Sequence, residues 1–495
     1  MTATLFPFDN SYARLPDRFF ARQEPTPVPA PQLIRLNAPL ARQLGLDPER
    51  LVAPDGVAVL AGNRIPEGSE PLAMAYAGHQ FGNWVPQLGD GRAVLLGEIV
   101  GRDGVRRDVQ LKGAGRTPFS RGGDGRAVLG PVLREYIISE AMAALGVPTT
   151  RALAAVTTGQ PIMRQQGPRL GPQPGAVLTR IARSHVRIGT FEFFASRGDS
   201  EAVRRLADYV IARHYPEAAD ATQPYRALLD AVIARTAALV AQWQGIGFIH
   251  GVMNTDNMSV AGETIDYGPC AFIDTYNPAT VFSSIDAHGR YAYGNQPRIA
   301  HWNLVRLAQA LLPLFAETEE AAIAIAQEAI DAYPDRFGAA YLQLFRRKLG
   351  LTKDQEGDAA LIEGLLDCMA AGKADFTLTF RRLCDAADAS LDPVRALFED
   401  PAGFDRWAGT WHARLTQEAM PPADRQAAMR GVNPAYIPRN HRVEAALAAA
   451  QTGDLSLADE LLVVLATPFE ERPDFAGYGD PPKPDEIVQA TFCGT

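Results

Sequence analysis

The fold is decided by a short polar stretch, His250-Gly-Val-Met-Asn-Thr-Asp-Asn257, which is followed nine residues later by Asp266-Tyr-Gly268. Kinase-type catalysis uses an asparagine as a metal ligand and the aspartate of an Asp-aromatic-Gly motif to bridge metal and phosphates. Carboxylate and carboxamide oxygens are the ligands that Mg²⁺ prefers. The spacing therefore predicts a kinase-like active site in which Asn257 and Asp266 hold the metal ion.

The catalytic base does not stand where a kinase would have it. In kinase-like loops the base lies five residues before the metal-binding asparagine, and Val252 occupies that position here. The available carboxylate is Asp256, directly beside Asn257. Either a base is dispensable, or Asp256 accepts the proton in a different geometry.

A lysine and a glutamate upstream complete the kinase-like set. Lys112 ends the strand-like run Asp108–Lys112, and Glu135 lies on a helix predicted over Val132–Leu145. Kinases hold a nucleotide phosphate with such a pair. A surface lysine and a surface glutamate are the alternative interpretation.

Two glycine-rich segments flank this strand. The first is Gly89-Asp-Gly-Arg92, and the second is the loop 113–126, which has five glycines and three arginines in fourteen residues. Glycines let the backbone approach phosphates closely, and guanidinium groups bind phosphate oxygens. A hairpin turn and a solvated loop remain the alternatives.

A third basic segment carries Arg180, Arg183 and Arg187. In a helix these side chains would fall on one face. Such a cluster in an acidic protein favours contact with the terminal phosphates of a nucleotide, whereas a solvated basic face is the alternative.

The order of elements favours an α+β, protein-kinase-like bilobal fold with an additional C-terminal helical region. A short helix over Asn37–Leu46, capped by Asn37, is the one regular element predicted in the otherwise irregular N-terminal segment. We expect five segments: an N-terminal extension (1–70), a small β-rich lobe (71–195), the start of the large lobe with its catalytic and metal loops (196–310), a helical region (311–470) and an extended tail (471–495).

Composition limits the classes of partner that we expect. The chain has 495 residues and a net charge of −9, which argues against nucleic acid and anionic membranes as partners. We find neither a signal peptide nor an apolar run long enough to span a bilayer, so we expect a cytoplasmic bacterial protein, and a monomer. The four cysteines, Cys270, Cys368, Cys384 and Cys493, lack metal-ligand spacing, so no zinc site is predicted.

Four runs of sequence resemble the selenoprotein O family. They are Tyr76-Ala-Gly-His-Gln-Phe-Gly-Asn-Trp-Val-Pro-Gln-Leu-Gly-Asp-Gly-Arg92, residues 110–129, His250-Gly-Val-Met-Asn-Thr-Asp-Asn-Met-Ser259 and Gly262-Glu-Thr-Ile-Asp-Tyr-Gly-Pro-Cys-Ala-Phe272. The resemblance is dense over about residues 70–310 and looser towards the C-terminus.

The resemblance implies a protein-kinase-like fold that binds ATP in a flipped orientation and transfers AMP to Ser, Thr or Tyr hydroxyls of proteins, including redox and metabolic proteins. Val252, at the position where a kinase has its base, is then a feature of the whole family. By motif, the resemblance assigns phosphate contact to Lys112, paired with Glu135, and to Arg180 and Arg187. It assigns Mg²⁺ or Mn²⁺ binding to Asn257 and Asp266, and the role of base to Asp256. The nucleotide site is assigned to Gly89, Gly91, Arg92, Asp124 and Gly125.

Other activities on the same scaffold stay open. They are phosphorylation, uridylylation with UTP and Mn²⁺, and a non-catalytic nucleotide-binding regulator. Since family members use a comparable pair, we also hypothesise a redox pair between Cys270 and the near-terminal Cys493, with a free terminal thiol as the alternative.

Overall fold

The computed structural model describes residues 4–166 and 169–492, and its central element is an antiparallel sheet in the order β1-β3-β6-β7-β10-β9-β2, with β8 paired to β10. The β4–β5 hairpin and the two-stranded sheet β11–β12 stand apart from it. The strands are β1 (Phe20–Arg22), β2 (Gln32–Leu36), β3 (Leu72–Met74), β4 (Gly78–Gln80), β5 (Asn83–Val85), β6 (Ala93–Val100), β7 (Arg106–Lys112), β8 (Ala127–Val128), β9 (Arg151–Gln166), β10 (Arg169–Ala182), β11 (Phe248–Ile249) and β12 (Ala271–Phe272).

Helices precede, cover and follow the sheet. They are α1 (Ala38–Gln43), α2 (Pro48–Val52), α3 (Pro54–Leu60), α4 (Leu129–Ala144), α5 (Ile188–Ala195), α6 (Ser200–His214), α7 (Pro224–Gly245), α8 (Gln296–Leu311), α9 (Glu319–Asp331), α10 (Tyr333–Lys348), α11 (Asp358–Ala371), α12 (Phe376–Ala386), α13 (Asp392–Arg395), α14 (Ala402–Leu415), α15 (Pro422–Arg430), α16 (Asn440–Gln451) and α17 (Ser456–Leu465). This mixture of helix and sheet confirms the α+β class.

The N-terminal segment is more regular than predicted. The helix near Asn37 is confirmed, because the Asn37 side chain accepts a hydrogen bond from the backbone N–H of Leu40 at 3.1 Å at the start of α1. The expectation of an otherwise irregular segment is corrected, since β1, β2, α2 and α3 also lie before residue 70. Their short strands are set by pairing with β3 and β9, which local sequence does not reveal.

Two cores lie on the sheet. Helices α1–α3 pack on one face through side chains such as Leu40 and Leu60. On the other face, Leu133 and Ile137 of α4 share a core with α16 and α17. The helix that carries Glu135 is thus held between the sheet and the C-terminal helices.

The remaining helices form two further cores. Helices α5 to α9 surround Trp243, and α10 to α15 surround Trp411. Within the described residues, no helix is both long and apolar enough to cross a membrane. The tail forms a 3-10 helix at Pro473–Tyr478, and Thr491 pairs with Ser283.

Candidate nucleotide-binding site

A cavity of about 470 Å³ opens between the sheet and the polar loops 250–269. It gathers residues from segments far apart in sequence. Of the residues predicted for the site, the cavity is lined by Gly89, Gly91, Arg92, Lys112, Asp124, Gly125, Arg180, Arg187, Asp256, Asn257 and Asp266. Glu135 lies behind Lys112 and reaches the cavity through it.

Lys112 and Glu135 form the predicted pair. The Lys112 ammonium lies 2.5 Å from Glu135 Oε2 and 3.3 Å from Asp266 Oδ1. Neighbouring β10 places Arg180 on the same face, because Arg180 is paired with Gln110 and side chains two residues apart share a face. Arg180 Nη1 lies 2.5 Å from Asp266 Oδ1 and 3.2 Å from Glu135 Oε1. Two cations and two carboxylates therefore meet at one point.

Arg187 adds a third cation. It precedes α5, donates to the Asp266 carboxylate, and donates to the Asp256 carbonyl at 2.5 Å. The condition under which the arginines of 180–187 would share a helical face is not met, since Arg180 lies in β10 and Arg187 is the residue before α5. The two arginines nevertheless converge on Asp266, and both line the cavity.

The charges on this cluster are strongly coupled. Burial opposes ionisation of Asp266, but Arg187, Arg180 and Lys112 outweigh it and hold the pKa of Asp266 well below its usual range. Burial likewise opposes the charge of Arg187, and Asp266 overcomes it and raises the Arg187 pKa. Asp266 and the two arginines are therefore charged at neutral pH. Asp266 also has a φ of 62°, a left-handed conformation that is uncommon outside glycine and clusters at functional sites.

Asp256 has a different environment. It lies in a 3-10 helix at Thr255–Asn257 and is 7% exposed. Gln80 Nε2 lies 3.5 Å from its Oδ2, and its Oδ1 has no hydrogen-bond partner among the described residues. Burial raises the pKa of Asp256 to about 6, against the opposing effect of Arg187. A carboxylate with this pKa is suited to accept a proton near neutral pH.

The side-chain oxygens of Asn257 and Asp266 suit a metal ion that a substrate also binds. Asn257 Nδ2 donates to the Val252 carbonyl at 3.0 Å, which fixes the amide so that its oxygen can serve as a ligand. In the described part of the chain, no group of three His, Cys, Asp or Glu side chains could hold a metal alone. Mg²⁺ is commonly bound by one or two protein oxygens together with substrate phosphates, and Asn257 and Asp266 fit that arrangement.

The family model for "Protein adenylyltransferase SelO" matches residues 3–466. The chain belongs to this family. A relative from Rhodopseudomonas palustris (strain BisB5), named "Protein nucleotidyltransferase YdiU", is 65% identical over 99% of both chains. Relatives with the same name from Bradyrhizobium diazoefficiens (99% of both chains) and Methylorubrum populi (100% of both chains) are each 63% identical. The resemblance to the selenoprotein O family and the prediction of a nucleotidyltransferase are confirmed at the level of the family.

The glycine-rich segments of this SelO-family chain close the cavity on one side. Gly89 has a φ of 73°, and a Cβ there would lie 2.3 Å from the Phe119 ring, so any other residue would strain the backbone and displace the ring. Asp124 is exposed, and its carboxylate pairs with Arg164 at 2.7 Å. Arg164 also lines the cavity and was not predicted from sequence.

Sequence reasoning missed three further residues. Gln110 Oε1 accepts from Arg180 Nη2 at 2.5 Å, and the Tyr76 ring lies 4.7 Å below the Arg187 guanidinium. Gln80 contacts Asp256. Tyr76 and Gln80 lie within the first family run, and Gln110 is two residues before Lys112 on the same face of β7, a signal that strand periodicity could have given.

Of the two cysteines in the hypothesised redox pair, the structure describes only Cys270. Cys270 is buried, and burial raises the pKa of its thiol to about 11. Thr491 Oγ1 donates to the carbonyl of Pro269 at 2.5 Å, so the tail passes beside this segment. Cys493 lies outside the described residues, and its pairing with Cys270 stays a prediction.

Proposed function

We propose that this protein transfers AMP from ATP to Ser, Thr or Tyr hydroxyls of other proteins and releases pyrophosphate. ATP binds in the flipped orientation on a protein-kinase-like, bilobal scaffold. The sheet with α4 acts as the small lobe and the loops 250–269 open the large one. We place the enzyme in the bacterial cytoplasm, as a monomer, with redox or metabolic proteins among its targets and no role for nucleic acid or membrane.

One observation carries this proposal: Arg180 and Arg187, each 2% exposed, are buried at the inner end of the cavity on Asp266. A kinase would direct the γ-phosphate outwards, towards the acceptor hydroxyl. Two buried guanidinium groups favour the opposite arrangement, in which the β- and γ-phosphates point inwards. The α-phosphorus then lies nearer to Asp256.

The chemistry follows from this placement. The hydroxyl oxygen attacks the α-phosphorus, its proton passes to Asp256, and the bond between the α-phosphorus and the bridging oxygen breaks. Pyrophosphate leaves with the electron pair. Arg180, Arg187 and Lys112 stabilise the charge that develops on it. When bound, Mg²⁺ or Mn²⁺ held by Asn257 and Asp266 supplies further neutralisation of the same phosphates.

The test uses ATP labelled at either end. Purified protein is incubated with a cell lysate and α-labelled or γ-labelled ATP, and a parallel reaction contains α-labelled UTP with Mn²⁺. Protein label from α-labelled ATP alone supports AMP transfer. Label from γ alone would make the protein a kinase, stronger label from UTP a uridylyltransferase, and no label a regulator. Asp266→Ala removes any true signal.

A further inference from the structure

Two arginines outside the cavity share one aromatic ring. The guanidinium carbons of Arg290 and Arg306 lie 4.8 and 5.0 Å from the centre of the Trp302 ring on α8. Stacking on an aromatic face fixes a guanidinium without neutralising it. Both arginines are half-buried and are therefore held in place.

Neither arginine has a carboxylate partner. In the part of the chain that the structure describes, no Asp or Glu oxygen lies within 4.0 Å of Arg290 or Arg306, and the buried Nε of each has no hydrogen-bond partner. The nearby acids have closer partners. Asp286 accepts from the backbone N–H groups of residues 290 and 291, and Glu192, whose ionisation the charge of Arg306 favours from beyond ion-pair distance, lies 2.7 Å from His79. By contrast, most buried arginines in this chain contact an acid, as Arg187 does.

This arginine pair is next to the proposed base. The Arg290 guanidinium lies over Gly82 of the β4–β5 hairpin, where an added Cβ would be 3.6 Å from three of its atoms. Two residues earlier, Gln80 contacts Asp256. On the other side, the Tyr291 hydroxyl donates to Asn254 Oδ1 at 2.6 Å, again two residues from Asp256.

Exposed apolar side chains border the arginine pair. Trp84, 39% exposed, lies on β5 and packs against His79 with the two rings tilted, and the His79 ring in turn contacts Trp302. Ile285, 53% exposed, lines the rim of the cavity. Exposed aromatic and aliphatic groups beside cations that form no ion pair are typical of protein-binding surfaces.

We propose that Arg290, Arg306, Trp302, Trp84 and Ile285 form a substrate-docking surface that binds an acidic side chain close to the modified hydroxyl of a protein substrate. This inference rests on the proposed transfer to proteins and names the class of substrate: hydroxyl residues flanked by Asp or Glu. Two fixed guanidiniums match one or two carboxylates. A nucleic acid is disfavoured, because the chain carries a net charge of −9.

Direct binding tests this surface without requiring catalysis. Fluorescein-labelled short peptides that contain one Ser, flanked by Glu or by Gln, are titrated with the full-length protein at low salt, and anisotropy is measured. The wild type binds the Glu peptide about tenfold more tightly, a preference that high salt reduces. Arg290→Gln/Arg306→Gln abolishes the preference. Arg42→Gln/Arg347→Gln, which removes two exposed arginines from α1 and α10, retains it.

Three results would overturn the inference: equal affinity for the two peptides, no binding of either, or an oligouridine that binds more tightly than the Glu peptide. Unchanged thermal melting and ATP affinity of the double variant show that it folds. Failure of the proposed function is distinguishable, because it would leave the Glu preference intact while α-labelled ATP gave no peptide label.

Discussion

Arg187 and Asp266 form a buried ion pair in which the same guanidinium also donates to the Asp256 carbonyl. One side chain therefore connects the proposed metal ligand with the proposed base. Arg180 and Lys112 also lie within ion-pair distance of Asp266, so three cations share this carboxylate. A nucleotide that brings phosphates into the cavity offers those cations a second anionic partner, so the cluster is built to exchange one partner for another.

Asp266→Asn removes the negative charge that Lys112, Arg180 and Arg187 share. We expect the nucleotide-free variant to lose about 3 kcal/mol of stability, because three buried cations lose a carboxylate, and to lose at least about 100-fold in transfer rate. ATP, through its phosphates, raises the melting temperature more in the variant than in the wild type. Thermal denaturation with and without ATP measures this. Asp459→Asn, which breaks an exposed pair with Arg35, serves as the control and costs less than about 1 kcal/mol.

Arg187→Lys tests which phosphates of ATP Arg187 contacts. If Arg187 contacts the inner phosphates, losing its planar fork weakens ATP binding about tenfold or more and leaves AMP binding nearly unchanged. Isothermal titration calorimetry with both nucleotides gives the two affinities. Arg204→Lys, at an exposed position of α6, should change neither. An equal loss for ATP and AMP would place Arg187 near the α-phosphate and contradict the flipped orientation.

The pKa of Asp256 predicts a pH dependence. With a pKa of about 6, the base form appears as pH rises through 6, so the transfer rate should rise over the same range. Because the folded pKa is raised above 3.8, burial favours the protonated form, and this contribution to stability is lost as pH rises through about 6. Asp256→Asn should therefore abolish the rising limb, and be more stable than the wild type at pH 8 but not at pH 4. Transfer rates and melting temperatures of both proteins, measured from pH 4 to pH 8, test these two expectations.

How far the sequence predicts this fold depends on whether the signal is local. Strand β7 ends at the predicted Lys112 and begins two residues before the predicted run, and α4 begins three residues before the prediction, because hydrophobic periodicity and the terminating Gly146 are local signals. The long β9–β10 hairpin was missed. Its first half, Ala152–Val156, is a continuous buried apolar run, which periodicity alone cannot distinguish from helix.

The candidate site shows the same division. The motif around Asp256 and Asp266 identifies residues whose chemistry is carried by their type and spacing. Arg164 reaches Asp124 only because the β9–β10 hairpin folds back over the glycine-rich loop, and the Arg290–Trp302 stack joins a loop to a helix. Contacts of this kind depend on tertiary packing, so no periodicity in the sequence indicates them.

Arg439→Met tests the junction between the polar loops and the C-terminal helices. Arg439 is 1% exposed and lies 2.7 Å from both Asp274 and Asp375. Its removal leaves two buried carboxylates without a cation, which should cost about 3–5 kcal/mol near neutral pH. Urea denaturation measures the loss. Arg395→Met removes an exposed partner of Asp405 and should leave the urea midpoint nearly unchanged, and similar losses for the two variants would contradict the structural role of Arg439.

Gly78→Ala tests whether the position of Asp256 matters for chemistry. A Cβ at residue 78 would lie 2.3 Å from Asp256 Oδ1 and 2.9 Å from its Cγ, so the carboxylate must move. Displacement of a reacting group by about 1 Å can cost about 100-fold in rate, so we expect a loss of that order with ATP affinity within about twofold of wild type. Labelling kinetics and calorimetry on the same preparation measure both. Gly338→Ala, where an added Cβ meets nothing within 4 Å, should behave as wild type. A Gly78→Ala variant with full activity would show that Asp256 is not the base, since a carboxylate pushed from its position could not accept the proton with undiminished efficiency.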